Sequence, residues 1–352
     1  MKLNFFAYYM DHDGYGRYSS RVVKALIQAG VEVAAHHIGV LDMPAWMQTQ
    51  HAPDWSRLTI SCIPPYMVKR VPGRHWLLSM TEGTRLSDGW AEIVNAAGVE
   101  RVIVPCQHNA DAFKASGVTV PIHVIAGGTD PDEFPLTARV PGKPYTFLTF
   151  ADRGFRKGWD EVWEAFYRAF GDEFDGDQDV RLIIKYRNGE DNVTSVMAAA
   201  NSAETRIVYD ASDTPDIATL YAQADCLVLP SRSEGWGMIQ REAAMMGLPV
   251  ITQAYSGLDD GHTRAWAMVV EAGALERIPP GAASARGEWR VVDVAALAAK
   301  MRECYENPGA AAAFGYAASS WLRQQQTWGH TAAALIELMR ESAPERGEYQ
   351  HA

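Results

Sequence analysis

The chain has 352 residues, enough for two hydrophobic cores rather than one. Its 43 acidic residues against 32 basic ones leave a formal charge of -11, which repels a nucleic-acid backbone unless a local basic patch overrides it. The four cysteines, Cys62, Cys106, Cys226 and Cys304, form no C-x-x-C pair and stand mostly in apolar runs, as reduced thiols of a cytoplasmic protein do. The apolar opening from Phe5 to Met10 is too short for a signal-peptide core or a membrane span, which leaves only peripheral membrane contact open.

In chain order, Lys2 to Tyr9 reads as an apolar strand and Gly14-Tyr15-Gly16 as a turn. Val22, Val23, Ala25, Leu26 and Ile27 then mark a helix closed by Gly30, and Val31 to Ile38 forms a second strand. This order opens a doubly wound parallel sheet. Further strands are expected at Leu58 to Ile63, Trp76 to Met80, Arg101 to Val104 and Ile122 to Ile125, with helices at Gly89 to Ala97 and Asn109 to Ala115. The Pro141-Gly142-Lys143-Pro144 cluster reads as a hinge, so a first Rossmann-like domain is expected over residues 1–140.

The pattern then restarts, with strands expected at Tyr145 to Phe150, Val180 to Lys185, Arg206 to Tyr209, Cys226 to Leu229 and Pro249 to Thr252. One intervening helix has Thr214 as its expected N-cap, Pro215 at the first helical position and Asp216 beside the positive end of the dipole. The second domain is expected over 141–325, and 326–352 as a terminal helix crossing back to the first. Val292 to Glu341 as a whole reads as helical and alanine-rich. The fold class is therefore α/β, with two Rossmann-like parallel sheets facing a central cleft.

The segment Ala224 to Thr252 is the most informative. A buried strand ends at Pro230, a polar loop follows, a helix begins near Gly237 and stops at Gly247, and Pro249 opens the next strand. The loop thus lies at the carboxyl end of a parallel strand and at a helix N-terminus, where backbone amides and the dipole favour an anion, most simply a diphosphate. Gly235 and Gly237 let such a group approach the backbone. Glu234 in the loop and Glu242 inside the helix are separated by about 12 Å at helical rise. That span suits two carboxylates holding hydroxyls on either side of the phosphates.

Pro230-Ser231-Arg232-Ser233-Glu234-Gly235-Trp236-Gly237, followed by Glu242-Ala243 and Gly247-Leu248-Pro249-Val250, resembles the retaining glycosyltransferases of GT-B fold related to glycogen synthase and sucrose synthase, usually called family 4. The resemblance implies that Glu234 meets the transferred sugar and Glu242 the ribose hydroxyls, with Gly235, Trp236, Gly237 and Met238 against the donor. Phe147 to Trp159 is similar to the family's strand and following Arg and Lys-Gly, which grip the diphosphate. Lys157 aligns directly. The usual arginine spacing falls on Ala151 or Asp152, so Arg153 is assigned, with Arg156 in reserve. Gly14-Tyr15-Gly16-Arg17 resembles the glycine-rich loop facing the donor phosphates and acceptor. Thr81 stands where many members carry a histidine that contacts the sugar, and Glu82 follows it. Val104 to Asn109 and Ile125 to Phe134 match further family segments, so the resemblance weakens only over 40–75 and 255–295.

The resemblance implies a metal-independent hexosyl transfer with retention, from a UDP- or GDP-sugar as co-substrate and with no cofactor. The acceptor is a glycan, a lipid-linked sugar or a small molecule. Two readings of the same fold stay open, a nucleotide-sugar epimerase and a sugar phosphorylase. A NAD-dependent enzyme would need a glycine where Ser19 stands and an acid near His36 and His37. A non-catalytic sugar- or nucleic-acid-binding protein would not need the paired glutamates and the cations, and the net charge argues further against nucleic acid. The pairs Asp11/Asp13, Asp175/Asp177 and Asp177/Asp179 read as solvated turns rather than metal ligands, and His36 and His37 as structural.

Overall fold

The computed structural model describes residues 1–9, 14–39, 47, 52–138, 144–151, 154–171, 179–186, 206–212, 216–280 and 286–342. The first sheet is built from β1 (Lys2–Ala7), β2 (Glu32–His37), β3 (Leu58–Cys62), β4 (His75–Leu78), β5 (Arg101–Val104) and β6 (Ile122–Val124), in the order β2-β1-β3-β4-β5-β6 and all parallel. Helices α1 (Gly14–Gln28), α2 (Trp90–Ala96) and α3 (Gln107–Ala115) fall between these strands in the chain. β1 buries both faces, Leu3, Phe5 and Ala7 on one and Asn4 on the other, as a strand inside a parallel sheet does.

The second sheet repeats the plan. It comprises β7 (Tyr145–Ala151), β8 (Val180–Tyr186), β9 (Ile207–Asp210), β10 (Cys226–Val228), β11 (Val250–Gln253) and β12 (Met268–Val270), in the order β12-β11-β10-β7-β8-β9, again parallel. Helices α4 (Trp159–Phe170), α5 (Ile217–Gln223), α6 (Met238–Met245) and the short α7 (Thr263–Trp266) connect it. In each sheet the strand order reverses beside the first strand of its unit, β1 or β7. Ligands gather at the carboxyl ends of strands at such switch points, and the loops after β1, β7 and β10 all leave from there.

Three helices close the described chain: α8 (Val294–Glu306), α9 (Pro308–Gln325) and α10 (Trp328–Glu341). The stretch expected to be helical divides into three because Pro308 ends one helix at Asn307, and Gln326 and Thr327 leave helical geometry before the capping box that starts α10. α10 packs on α1 of the first sheet, where Trp328 meets Tyr18 edge to face at 4.9 Å between ring centroids.

Other expectations need correction. Gly14-Tyr15-Gly16 is not a turn but the first turn of α1. The Ser19 and Ser20 hydroxyls donate back to the Tyr15 and Gly16 carbonyls, so tertiary and local hydrogen bonds outweigh glycine's poor helix propensity. Thr214 and Pro215 lie outside the described residues, and the N-cap of α5 is Asp216, whose carboxylate accepts from the Ala218 amide at 3.0 Å. The expected hinge residues Pro141, Gly142 and Lys143 also lie outside. Between 255 and 295 the chain adds β12 and an antiparallel ribbon of β13 (Ala272–Arg277) and β14 (Glu288–Val292), none of which the periodicity had marked.

Candidate active site

The second-sheet wall of the cleft begins where β10 ends. Gly237 caps α6 with φ 78°, a left-handed conformation that glycine alone adopts without strain, and a Cβ there would lie 2.4 Å from Leu258. The preceding loop does not offer all its amides to an anion. The Arg232 amide donates to the Arg156 carbonyl at 2.8 Å, and the Glu234 amide to the Ser256 hydroxyl at 2.8 Å. Ser256 has φ 54°, the one non-glycine residue in the left-handed region among the described residues. Anion binding by this loop therefore falls to the stretch from Gly235 to the start of α6.

Glu234 is 5% exposed and ion-paired on both oxygens, to Lys157 Nζ at 2.6 Å and Arg156 Nη1 at 3.0 Å. Both cations leave β7 on a 3-10 turn, Gly154–Lys157, which Gly158 closes with φ 70° directly against the Pro230 carbonyl. Burial alone would raise the Glu234 carboxyl, but the charges of Lys157 and Arg156 outweigh it and hold it down to about 2. Arg156 reaches further, donating to the Ser233 carbonyl at 2.8 Å and pairing across the cleft with Glu82 at 3.2 Å.

The first-sheet wall comes from the loops after β1, β3 and β4. Tyr15 fixes the loop after β4, its hydroxyl donating to the Met80 carbonyl at 3.0 Å and accepting from the Met80 amide at 3.1 Å. The Thr81 amide donates to Asn109 Oδ1 at 2.5 Å, and Asn109 Nδ2 donates to the Gly235 carbonyl at 3.0 Å, which joins the two walls. Arg17 crosses to Glu242 at 2.5 Å, and the Tyr221 hydroxyl lies 3.4 Å from the other Glu242 oxygen. Burial would lower the Arg17 guanidinium, yet Glu242 raises it above its ordinary value. Within α6, the fully buried Arg241 stacks at 3.7 Å on Trp236 and pairs with Asp260 at 2.7 Å.

Between the walls lies a cavity of about 540 Å³. It is lined by Gly14, Tyr15, Thr81, Glu82, Arg156, Lys157, Glu234, Gly235, Trp236, Gly237 and Met238, all expected from sequence. Gly16 and Glu242 are absent from its lining, and Glu242 is sequestered behind Arg17 rather than presented to the cavity. Arg153 lies outside the described residues; Arg156, held in reserve, is the arginine bound to Glu234. Thr81 Oγ1 and Trp236 Nε1 are buried with no hydrogen-bond partner, the condition that a bound polar ligand would relieve.

Sequence reasoning missed several lining residues. Arg17 was legible as the cation ending the glycine loop, but not as the partner of a glutamate 225 positions away. Tyr8, Pro64, Pro65, Tyr66 and Trp90 also line the cavity, and the prolines and Tyr66 come from the stretch where the family likeness was faintest. Arg241 carried a signal of its own, a cation beside Glu242 in a helix otherwise turned to the core. Asp11, Asp13, Asp175 and Asp177 lie outside the described residues. His36 stacks on Phe6 within the first sheet at 4.6 Å between ring centroids. No helix among the described residues is long and apolar enough to cross a membrane.

The solved structures this protein is similar to include sucrose-phosphate synthase from Thermosynechococcus elongatus, at TM-score 0.69 and 15% identity over 97% of this chain and 98% of that one. HepE from Anabaena, solved in complex with UDP-glucose, has TM-score 0.68 at 14% identity over 97% of this chain and all of the other. At these identities the likeness establishes the GT-B fold and no more. Among curated proteins, the glycogen synthase of Mycobacterium tuberculosis is 31% identical over 142 residues, 39% of this chain and 28% of its own length. The matched region thus spans less than a third of that relative. The model described as family 4 glycosyltransferase in conflict systems matches residues 106–335, well over half of the chain and including Lys157, Glu234 and Glu242. By that match, on a GT-B fold, the chain belongs to the family 4 glycosyltransferases of conflict systems.

Proposed function

We propose that the protein transfers a hexose, with retention of anomeric configuration and without a metal ion, from a nucleoside-diphosphate sugar to an acceptor hydroxyl. The observation that carries this reading is the Glu234–Lys157–Arg156 cluster at the start of α6, in a cavity whose other wall is a separate Rossmann-like sheet. Lys157 and Arg156 would take the donor diphosphate and neutralise the charge that develops on the leaving group, by charge-assisted hydrogen bonds. Glu234 would then exchange its ion pairs for hydroxyls of the transferred sugar. Among the described residues the carboxylates lining the cavity, Glu82 and Glu234, are both held by cations, so we favour front-face displacement, with the leaving phosphate taking the acceptor's proton.

The donor is read as a UDP- or GDP-sugar, with no further cofactor. UDP-glucose occupies the similar HepE. Glu242 serves the ribose only if Arg17 releases it, so donor entry involves the exchange of that ion pair. The four cysteines are all buried and none forms a disulfide, which supports a reducing, cytoplasmic setting. We take residues 1–140 as the acceptor domain, 141–325 as the donor domain, and the terminal helix as the element returning to the first.

The test is a thermal-shift screen of UDP, GDP, ADP and TDP sugars, followed by transfer assays with Lys157→Ala. A bound donor raises the midpoint because only the folded state binds it. Removing the Lys157 charge should lower kcat by about 100-fold or more while the fold persists, a loss typical of a deleted transition-state contact. Wild-type turnover in the variant, or no shift with any nucleotide sugar, refutes the reading. Conversion of the donor with no acceptor present would point to an epimerase instead.

A further inference from the structure

The first-sheet wall holds a second kind of surface beside the polar cluster. Pro64 and Pro65 follow the end of β3, the 3-10 turn Pro65–Met67 carries Tyr66, and α2 begins at Trp90. The Tyr66 and Trp90 rings lie 4.9 Å apart between centroids at 40°, and Tyr8 at the end of β1 joins them in lining the cavity. Tyr66 is 50% exposed, although a ring of this size gains most from burial. Rings left open on the wall of a cavity are a surface kept for a ligand.

Charge selects the class of that ligand. Among the described residues that line the cavity the cations are Arg17, Arg156 and Lys157, and each is paired to a carboxylate. Two of them stand on the opposite wall, and Arg17 is held by Glu242. The charged group that this wall adds to the lining beside Arg17 is Glu82, whose Oε1 pairs with Arg156 across the cleft, leaving its other oxygen to accept hydrogen bonds from hydroxyls. A sugar ring has the matching surface, with C–H groups on one face to lie on an aromatic ring and hydroxyls around its rim.

We propose that Tyr66 and Trp90 form the acceptor subsite, and that the acceptor is a neutral saccharide stacked on these rings with a hydroxyl bound by Glu82. This rests on the reading of the cavity as a glycosyl-transfer site and narrows its acceptor to uncharged sugars, ahead of lipid-linked phosphates. Tyr66 and Trp90 are specificity residues in this scheme. The stacking is expected to supply about tenfold in affinity, the scale of an aromatic contact.

The test uses the full chain and saturation-transfer NMR with neutral trisaccharides of glucose, mannose and N-acetylglucosamine, glucose 6-phosphate and an alkyl phosphate. Binding of UDP by calorimetry runs in parallel. The expected result is saturable binding of at least one neutral trisaccharide, with glucose 6-phosphate and the alkyl phosphate weaker. That binding should fall about tenfold in Tyr66→Ala and Trp90→Ala and be retained in Tyr66→Phe, with UDP affinity unchanged throughout. Unchanged melting temperature shows that the variants fold. Binding of no neutral trisaccharide, tighter binding of either phosphate, or equal saccharide binding by Tyr66→Ala overturns the proposal. Loss of UDP binding in the wild-type protein counts against the donor reading alone, because the saccharide result is read separately.

Discussion

Glu242 and Glu234 are both buried carboxylates, and their partners separate their roles. Glu234 faces two cations of its own wall, so its charge is balanced before any ligand arrives. Among the described residues Glu242 is ion-paired only to Arg17, which reaches it from the first turn of α1 on the other wall. Removing one partner of a buried pair leaves the other charge uncompensated, at a cost of about 3 kcal/mol or more. Arg17→Ala should therefore lower stability in urea by that order, whereas the Arg17→Met, Glu242→Met double variant should recover much of the loss. A coupling energy near zero in the complete cycle would mean that the pair does not form in solution.

At the scale of elements, the cleft is held by contacts that cross it at several places. The Arg85 and Arg286 backbones exchange hydrogen bonds at 3.0 and 3.1 Å, tying the ribbon of β13 and β14 to the segment after Glu82. Thr129 donates its amide to the Gln326 carbonyl at 3.0 Å, and Gln326 in turn accepts from Arg241 at 2.9 Å, so the start of α10 is linked to helix α6 of the second sheet. Trp328 seats α10 against α1. Trp328→Ala removes a large, nearly buried ring and should cost about 3–5 kcal/mol. Hydrogen exchange should accelerate through Trp328–Glu341, and exchange no faster than wild type there would show that this helix is held by other contacts.

For the whole molecule, several buried groups held below their ordinary values contribute to the acid limb of stability, His108, Asp260, His75 and Glu234 among them. His75 lies inside the first sheet against the Ser61 hydroxyl at 2.9 Å, and burial lowers it to about 4. Because its folded value lies below the ordinary 6.5, the unfolded chain binds the extra proton first, and stability is lost as pH falls from about 6.5 to 4. Glu234, with an ordinary value of 4.5 and a folded one of about 2, contributes stability above 4.5 that is lost as pH falls further. Each shift is of the order of 3 kcal/mol when converted. Urea titrations at pH 7, 5.5 and 4.5 should show falling stability, and His75→Gln should flatten the first part of that fall. A profile unchanged by the substitution would remove His75 as its cause.

The sequence by itself determined the elements whose physics is local: the apolar runs of β1, β5, β7 and β10, the glycine that caps α6, and the frame joining Glu234 to Glu242. Those runs are legible because strands covered on both faces have no polar side to confuse them. Only the tertiary structure decided that Gly14 to Gly16 enter a helix, that Arg156 reaches Glu234, and that Arg17 covers Glu242. It alone also brought Tyr66 and Trp90 together at the cleft. Such pairings join residues far apart in the chain, and their energies depend on burial and distance, which no spacing along one sequence contains.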